Sequence, residues 1–558
     1  MAAPTPRRVA VIGAGPAGLS AIDQLATLSP PSFSITLFER RTTFGGVWCY
    51  DADPGECVIR YDSTGRPHAL WSGGRKDGDE GGTFRPPGAM YDGLRTNLPC
   101  DIMTYRSQPF DRETALFPDR ASVEGYIQSF AKKVLSEGEV DVRLGTAVQD
   151  VRRIAHDPAA AREVIGAGSV WCITSINVDS GEKKVESFDH VILASGRCNT
   201  PTIPRIRGLH HFPGKILHSA WYRSPIPFED KRVLVVGNSS SGSDIARELS
   251  GYVLRTLPEG EAATREFIDR CEGGKVGSVL HSYEHFDKPP PLDFDPREEG
   301  SPAWAKKITV VPRIEEVRAD GSVVFEGGEE RDEVDVLIFG TGYAYDFPYL
   351  DQRVAPFVER PLIPLPLSPL TQDDAPKSRI EPYTPPHRTA PFLTNLDDWS
   401  LFYAPDPSIC VLGAPIRIVP MPLTHVQSRI IAAVWSGLLP PSFNSTGLPR
   451  LDPTLPTTDP AKWTSRATTP PEEDVDARNK TSDLGYPSDS AYQDALLNLL
   501  PNHLRSKGGD EVTKVLDLEA GSSERPVTAD DEGWSRMPDF RNQRRQDTKR
   551  LRRLLLGY

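Results

Sequence analysis

Two glycine-rich turns dominate this chain, each leading out of an apolar run into a stretch with helical spacing. The first is VAVIGAGPAGLSAI, with Gly13, Gly15 and Gly18; the second is RVLVVGNSSSGSDIA, with Gly237 and Gly242. A strand–turn–helix unit of this kind sets bare backbone N–H groups and a helix N-terminus against a pyrophosphate. One such unit holds one dinucleotide. Two of them imply two dinucleotides, with electrons passing from one to the other, and so an α/β oxidoreductase with two Rossmann-like domains.

The first unit is complete. Residues 7–12 read as a strand, 16–28 as a helix, and SITLFER (34–40) as a second strand ending in Glu39. Gly13 permits the tight turn, Gly15 the approach of the pyrophosphate, and Gly18 the packing of helix on strand. Glu39 stands about 20 residues on, where an acid meets ribose hydroxyls. TTFGGVW follows, with Gly45 and Gly46 bringing backbone near the ligand and Trp48 as a flat cover, a pattern that suits FAD.

The second unit is less regular. Ser239 stands where the middle glycine usually sits, and the hydroxyls of Ser239 and Ser240 can bond a phosphate oxygen. The next strand of this unit is GSVLHSYEH (277–285), reached through an insertion. It offers Ser282 and Glu284 but no Arg of the kind that selects a 2′-phosphate, so these residues alone allow NADH as well as NADPH.

Composition narrows the class. At 558 residues there is chain for roughly three or four domain-sized units. A net charge of −13 argues against nucleic acid as the main partner. No apolar run reaches the ~20 residues of a membrane span. MAAPTPRRVAVIG enters the first strand with no room for a signal peptide, and the seven cysteines are odd in number and unpatterned. Reduced thiols and a cytoplasmic location are expected.

Other segments read as follows. Residues 51–90 form an exposed excursion, and 355–398 a long Pro-rich loop. FDHVILASG, VDVLIFGTGY and SICVLGAP are buried-type strands, and HVQSRIIAAVWSGLL is a core-facing helix. Residues 446–480 are polar and Pro-rich, and RNQRRQDTKRLRRLLLGY is a basic helix docked on an acidic face. HSYEH (281–285) matches a zinc-protease pattern, but an apolar strand precedes it and FDKPPP follows, so no metal site is expected.

Between the two turns lies FPGKILHSAWY, where Phe212, Gly214, His218 and Tyr222 spell FxGxxxHxxxY. LRTNLPCDIM, ILASGRCNTPTIP and IFGTGYAYDFPYL add further motifs. Together these resemble the flavin-containing monooxygenase family, closest to its soluble fungal-type members, over most of the chain. The resemblance implies an FAD domain built from residues 1–204 and 341–445, with an NADPH domain, 205–340, inserted in it. A C-terminal extension, 446–558, follows. Linkers near Gly196 and Gly342 are the implied hinges, and Thr341 and Gly342 are expected among the cofactor-binding residues. NADPH then reduces FAD, and O2 adds to the flavin as a C4a-(hydro)peroxyflavin. One oxygen passes to sulfur or nitrogen of a small molecule, in the manner of an N,N-dimethylaniline monooxygenase or a step of secondary metabolism.

Under the same resemblance Asn97 sits beside the flavin C4a oxygen, His218 and Tyr222 order the crevice between domains, and Gln427 touches the flavin edge. Cys100 replaces a usual Lys. Two rival readings remain: Baeyer–Villiger oxygenation of a ketone, and a catalytically idle flavin-binding redox sensor. The expected partners are a small-molecule substrate and O2, with a homodimer left open.

Overall fold

A computed structural model describes residues 6–28, 33–72, 88–111, 113–155, 169–254, 267–269, 278–364, 382–397, 399–415, 418–439, 489–505 and 533–558. The segments 77–80 and 446–480, and most of the insertion at 255–275, lie outside them. Six helices organise the description: α1 (Pro16–Leu28), α2 (Arg120–Glu137), α3 (Ser240–Leu249), α4 (Pro420–Trp435), α5 (Asp489–Leu499) and α6 (Asp539–Leu556).

Two five-stranded parallel sheets carry the fold. The first runs Ile409–Val411, His190–Leu193, Arg7–Ile12, Phe33–Phe38, Val140–Arg143. The second runs Lys215–His218, Val336–Phe339, Val233–Val236, Val279–Ser282, Ile308–Val311. Their strands are short and mostly apolar, as parallel strands covered on both faces are. The second sheet lies, in sequence, entirely between strands of the first.

Each glycine turn leaves the central strand of its sheet, and the two turns are framed alike. Gly13 N–H donates to Phe38 O at 2.8 Å, and Gly237 N–H to Ser282 O at 3.0 Å, both on the next strand. On the other side Ala194 N–H donates to Ile12 O at 2.9 Å, and Gly340 N–H to Val236 O at 2.8 Å. Both turns therefore open at the carboxyl ends of the strands, at the switch point where open α/β sheets bind ligands.

Helices α1, α2 and α4 cover the first sheet over a core including Val9, Val11, Leu37, Val123, Ile127, Ile192, Ile430 and Trp435. A buried polar row joins α1 to α4. Ser20 and Thr424 share a hydroxyl contact at 3.1 Å, and His425 Nε2 lies 2.6 Å from Asp23 Oδ2. Arg429 Nη1 donates to Gln24 Oε1 at 3.0 Å.

The excursion expected at 51–90 is not loose throughout. Glu56–Tyr61 and Pro67–Ser72 form an antiparallel hairpin. Its Cys57, Ile59 and Ala69 pack on the cores around the second sheet. Polar and turn-forming neighbours conceal this ribbon in the sequence.

Helix α6 docks along both sheets' surroundings. Arg544 Nε donates to Asp101 Oδ2 at 2.8 Å, and Arg541 Nη1 to Ile102 O at 2.7 Å. Near its other end Arg552 Nη2 donates to Asp293 Oδ1 at 3.1 Å, and Tyr252 Oη to Leu556 O at 2.8 Å. Among the described residues no helix is long and apolar enough to cross a membrane.

Candidate active site between two dinucleotide turns

At the first turn glycine is required by backbone contact. A Cβ on Gly18 would sit 1.9 Å from Gly13 O, and one on Gly13, whose φ is +108°, 2.5 Å from Ala194 O. Gly15 and Gly46 face each other so closely that a Cβ on Gly46 would lie 2.8 Å from Gly15 Cα. Helix α1 begins at Pro16, a residue suited to the first helical position. Its first-turn N–H groups, which have no intrahelical acceptors, project into this bare-walled cradle.

Glu39 is buried at the strand end. Its Oε2 accepts from Ala14 N–H and its Oε1 from Arg41 N–H, each at 2.8 Å. Each oxygen keeps a lone pair for a ribose hydroxyl. A cradle without side chains, a helix N-terminus and a held carboxylate fit the adenosine diphosphate half of FAD.

The second turn repeats this logic with one more backbone crossing. A Cβ on Gly242 would lie 1.7 Å from Gly237 O, one on Gly237 2.8 Å from Gly340 O, and one on Gly340 2.9 Å from Gly242 N. Ser239 precedes α3 and makes no side-chain capping bond, so its hydroxyl is not spent on the helix. The turn fits a second pyrophosphate. Ser282 Oγ, at the end of the neighbouring strand, donates to Pro312 O at 2.8 Å.

The two linkers between the sheets meet. Thr200–Pro201 pairs antiparallel with Tyr343–Ala344, and Thr202 N–H donates to Gly342 O at 3.0 Å. Thr341 Oγ1 donates to Thr202 O. Gly196 and Gly342 have φ of +77° and +79°, with open space where a Cβ would point.

The FxGxxxHxxxY motif supports this junction from the second sheet. A Cβ on Gly214 would strike Asp335 O at 2.2 Å, and Phe212 is buried beside it. His218 is buried at the strand end, accepts Ala220 N–H at Nδ1 (3.2 Å) and turns toward the Gly342 backbone. Burial pushes its pKa down to about 3, so it stays neutral.

The segment Tyr91–Leu98 runs between the two lobes. Leu94 lies in the core of the second sheet and Leu98 packs on that of the first; Trp48 packs on both. Asn97, between these anchors, donates from Nδ2 to Ser240 Oγ at 3.0 Å. The neutral amide is thus held at the start of α3, beside the second turn. Cys100 is fully buried a few residues on, with Sγ directed at Ala115 O.

Gln427 is buried on α4. Its Oε1 accepts Gly413 N–H at 3.0 Å and its Nε2 donates to Tyr492 Oη at 2.9 Å. One end of the amide thus holds the Gly413 backbone and the other the Tyr492 hydroxyl. Sequence reasoning also passed over Asp244 and Glu248. Helix α3 carries both on one buried face, four residues apart.

Comparison with known proteins agrees with this geometry. A family model described as flavin-binding monooxygenase-like matches residues 75–260 and 301–363, and one for an NAD(P)-binding Rossmann-like domain matches 11–76. Flavin-containing monooxygenase FMO GS-OX-like 4 of Arabidopsis thaliana is 30% identical over 449 residues, 77% of this chain and 76% of the relative. The structure of S-allyl-L-cysteine S-oxygenase from Allium sativum is similar with a TM-score of 0.60 at 21% identity, covering 99% of this chain and 94% of that one. Tmm from Pelagibacter sp. strain HTCC7211 gives 0.53 at 19% identity, covering 89% and 92%.

The chain belongs to the flavin-containing monooxygenase family. It is an oxidoreductase whose cofactors are FAD and NADPH.

Proposed function

We propose that this chain transfers one atom of O2 to sulfur or nitrogen of a small molecule. In this reading residues 1–204 and 341–445 hold FAD, 205–340 hold NADPH, and 446–558 are a C-terminal extension. Gly13, Gly15 and Gly18 take the FAD pyrophosphate, Glu39 the ribose, and Gly46 and Trp48 close over the flavin side. Gly237, Ser239, Ser240 and Gly242 take the NADPH pyrophosphate. Thr341 and Gly342 form the hinge, with Phe212, Gly214, His218 and Tyr222 shaping the crevice behind it.

Bound here, the two cofactors supply the redox chemistry, with one oxygen going to the substrate and the other to water. The residues do the rest. A buried crevice excludes water, and Asn97 offers an N–H donor whose protonation does not change with pH. The observation that supports this reading most directly is the bond from Asn97 to Ser240, which sets the amide beside the second turn. The fold is shared with an S-oxygenase of S-allyl-L-cysteine, which makes a thioether the first substrate to try.

Offered a thioether and a cyclic ketone with NADPH, the holoenzyme is expected to give sulfoxide; ester without sulfoxide would overturn the assignment. Absence of NADPH-dependent oxygen uptake would overturn it as well. Asn97→Ala is expected to lower product per NADPH oxidised by about tenfold or more, the electrons appearing as hydrogen peroxide. Flavin bleaching by NADPH under nitrogen reports the reductive step separately. An unchanged coupling ratio would remove Asn97 from the chemistry.

A further inference from the structure

Helix α3 does more than open at a phosphate. Its buried face carries Asp244 and Glu248, and each engages a tyrosine from a distant part of the chain. Tyr91 Oη donates to Asp244 Oδ2, and Tyr222 Oη donates to Glu248 Oε2 at 2.6 Å. The two rings meet edge to face with centroids 5.7 Å apart. Burial above all, and then the nearby carboxylates, hold both hydroxyls far above their ordinary pKa, so they remain donors.

Gly93 shows how tightly the segment sits. A Cβ there would lie 2.0 Å from Glu248 Oε1, so the carboxyl occupies the space that any other residue at position 93 would need. Asp92 N–H donates to Arg223 O at 2.9 Å. From residue 91 to Asn97 the segment is thus applied to α3 by Tyr91 at Asp244, Gly93 at Glu248 and Asn97 at Ser240.

The charges near this face do not balance around Glu248. Asp244 and Asp293 face Arg247 and Arg552, two negative groups against two positive ones. Glu248 is a third carboxyl, only 1% exposed, and its Oε1 has no hydrogen-bond partner among the described residues. The titratable and charged groups facing it are Tyr222, Arg247, Asp244 and Asp92, with Tyr91 across the ring contact. Burial pushes the Glu248 carboxyl up to about 7, with the Tyr222 hydrogen bond and Arg247 pulling the other way.

We propose that Glu248 is a positioning residue for Asn97: as a neutral acid it seats the Tyr91–Asn97 segment on α3, and as a carboxylate it loosens that seat. The inference rests on the role given to Asn97 above. A protonated carboxyl accepts from Tyr222 and packs against the bare Gly93 backbone. Ionised, it is a buried charge facing backbone, and withdrawal of the segment lets water reach it. Asn97 then leaves Ser240, and the crevice loses its donor and its seal.

The test is the ratio of oxygenated product to NADPH oxidised, measured with the holoenzyme and a thioether below and above pH 7. In the wild type the ratio is expected to fall severalfold through that range as peroxide rises. Glu248→Gln, which can still accept from Tyr222 but cannot ionise, is expected to flatten the profile. Tyr222→Phe removes a hydrogen bond that favours ionisation, so its fall is expected at higher pH than in the wild type. Superimposable wild-type and Glu248→Gln profiles, a wild-type ratio that does not change with pH, or an unmoved midpoint in Tyr222→Phe would each overturn the proposal. Asn97→Ala is measured alongside. Normal coupling there sinks the Asn97 reading itself, whereas poor coupling there with a pH-dependent Glu248→Gln sinks only the role of Glu248.

Discussion

Gly242→Ala is expected to give a yellow protein that NADPH no longer bleaches. The new methyl would lie 1.7 Å from Gly237 O and 2.8 Å from Gly237 C, both backbone atoms. No flexible side chain can move aside. Gly237 is pinned in turn by Gly340 O, and Gly340 by Gly242, so the three backbones are locked in one crossing. The start of α3 must shift by something like an ångström, carrying Ser239 and Ser240 with it. A misplacement of that size costs on the order of 10²-fold when it separates reacting partners. The first turn, proposed above to hold FAD, belongs to the other sheet and keeps its own glycines, so flavin content is expected to be retained. Rapid mixing with NADPH under nitrogen measures the loss, and dithionite shows that the flavin can still be reduced. Bleaching at the wild-type rate would mean that this turn does not bind NADPH.

That expectation could be framed from sequence because glycine at a close backbone crossing is a local demand. Gly13, Gly18, Gly237 and Gly242 sit where no side chain fits, and the apolar strands around them are buried on both faces. Such features leave a short-range signature. The acid Glu39 was legible for the same reason, as the end of the next strand is a fixed distance away. Features set by contacts between remote segments were not. Asp244 and Glu248 look like ordinary helical acids until Tyr91 and Tyr222 arrive from more than twenty residues away. Gln427 follows a Pro-Met-Pro helix start and looks available, yet Gly413 and Tyr492 occupy both ends of its amide. The hairpin over Glu56–Tyr61 and Pro67–Ser72 was hidden because the stretch around it has the composition of a loop, while its stability comes from packing on another core.

The basic helix α6 illustrates the remaining gap, since its charge was plain but its partners were not. Arg552→Ala is expected to destabilise the fold by about 3 kcal/mol. The guanidinium is only 1% exposed, bonds Asp293 Oδ1 at 3.1 Å and lies 4.0 Å from Asp244 Oδ1. It also stacks at 4.7 Å over the ring of Tyr558, which Arg247 covers at 3.5 Å. Its removal leaves Asp244 and Asp293 with Arg247 as their remaining ion-pair partner among the described residues. Buried ion pairs add little when intact, but breaking one exposes the whole desolvation cost of the surviving charge. Arg550 provides the contrast on the same helix: it pairs with Asp547 at the surface, and Arg550→Ala should be nearly silent. Thermal unfolding followed by flavin release should therefore show a midpoint several degrees lower for Arg552→Ala only. Adding Asp293→Asn should recover part of the loss, because the uncompensated carboxylate goes with it. Equal midpoints for the two single variants would show that the buried cluster does not hold α6 to the second sheet. A double variant no better than Arg552→Ala would mean that lost packing, rather than stranded charge, sets the cost.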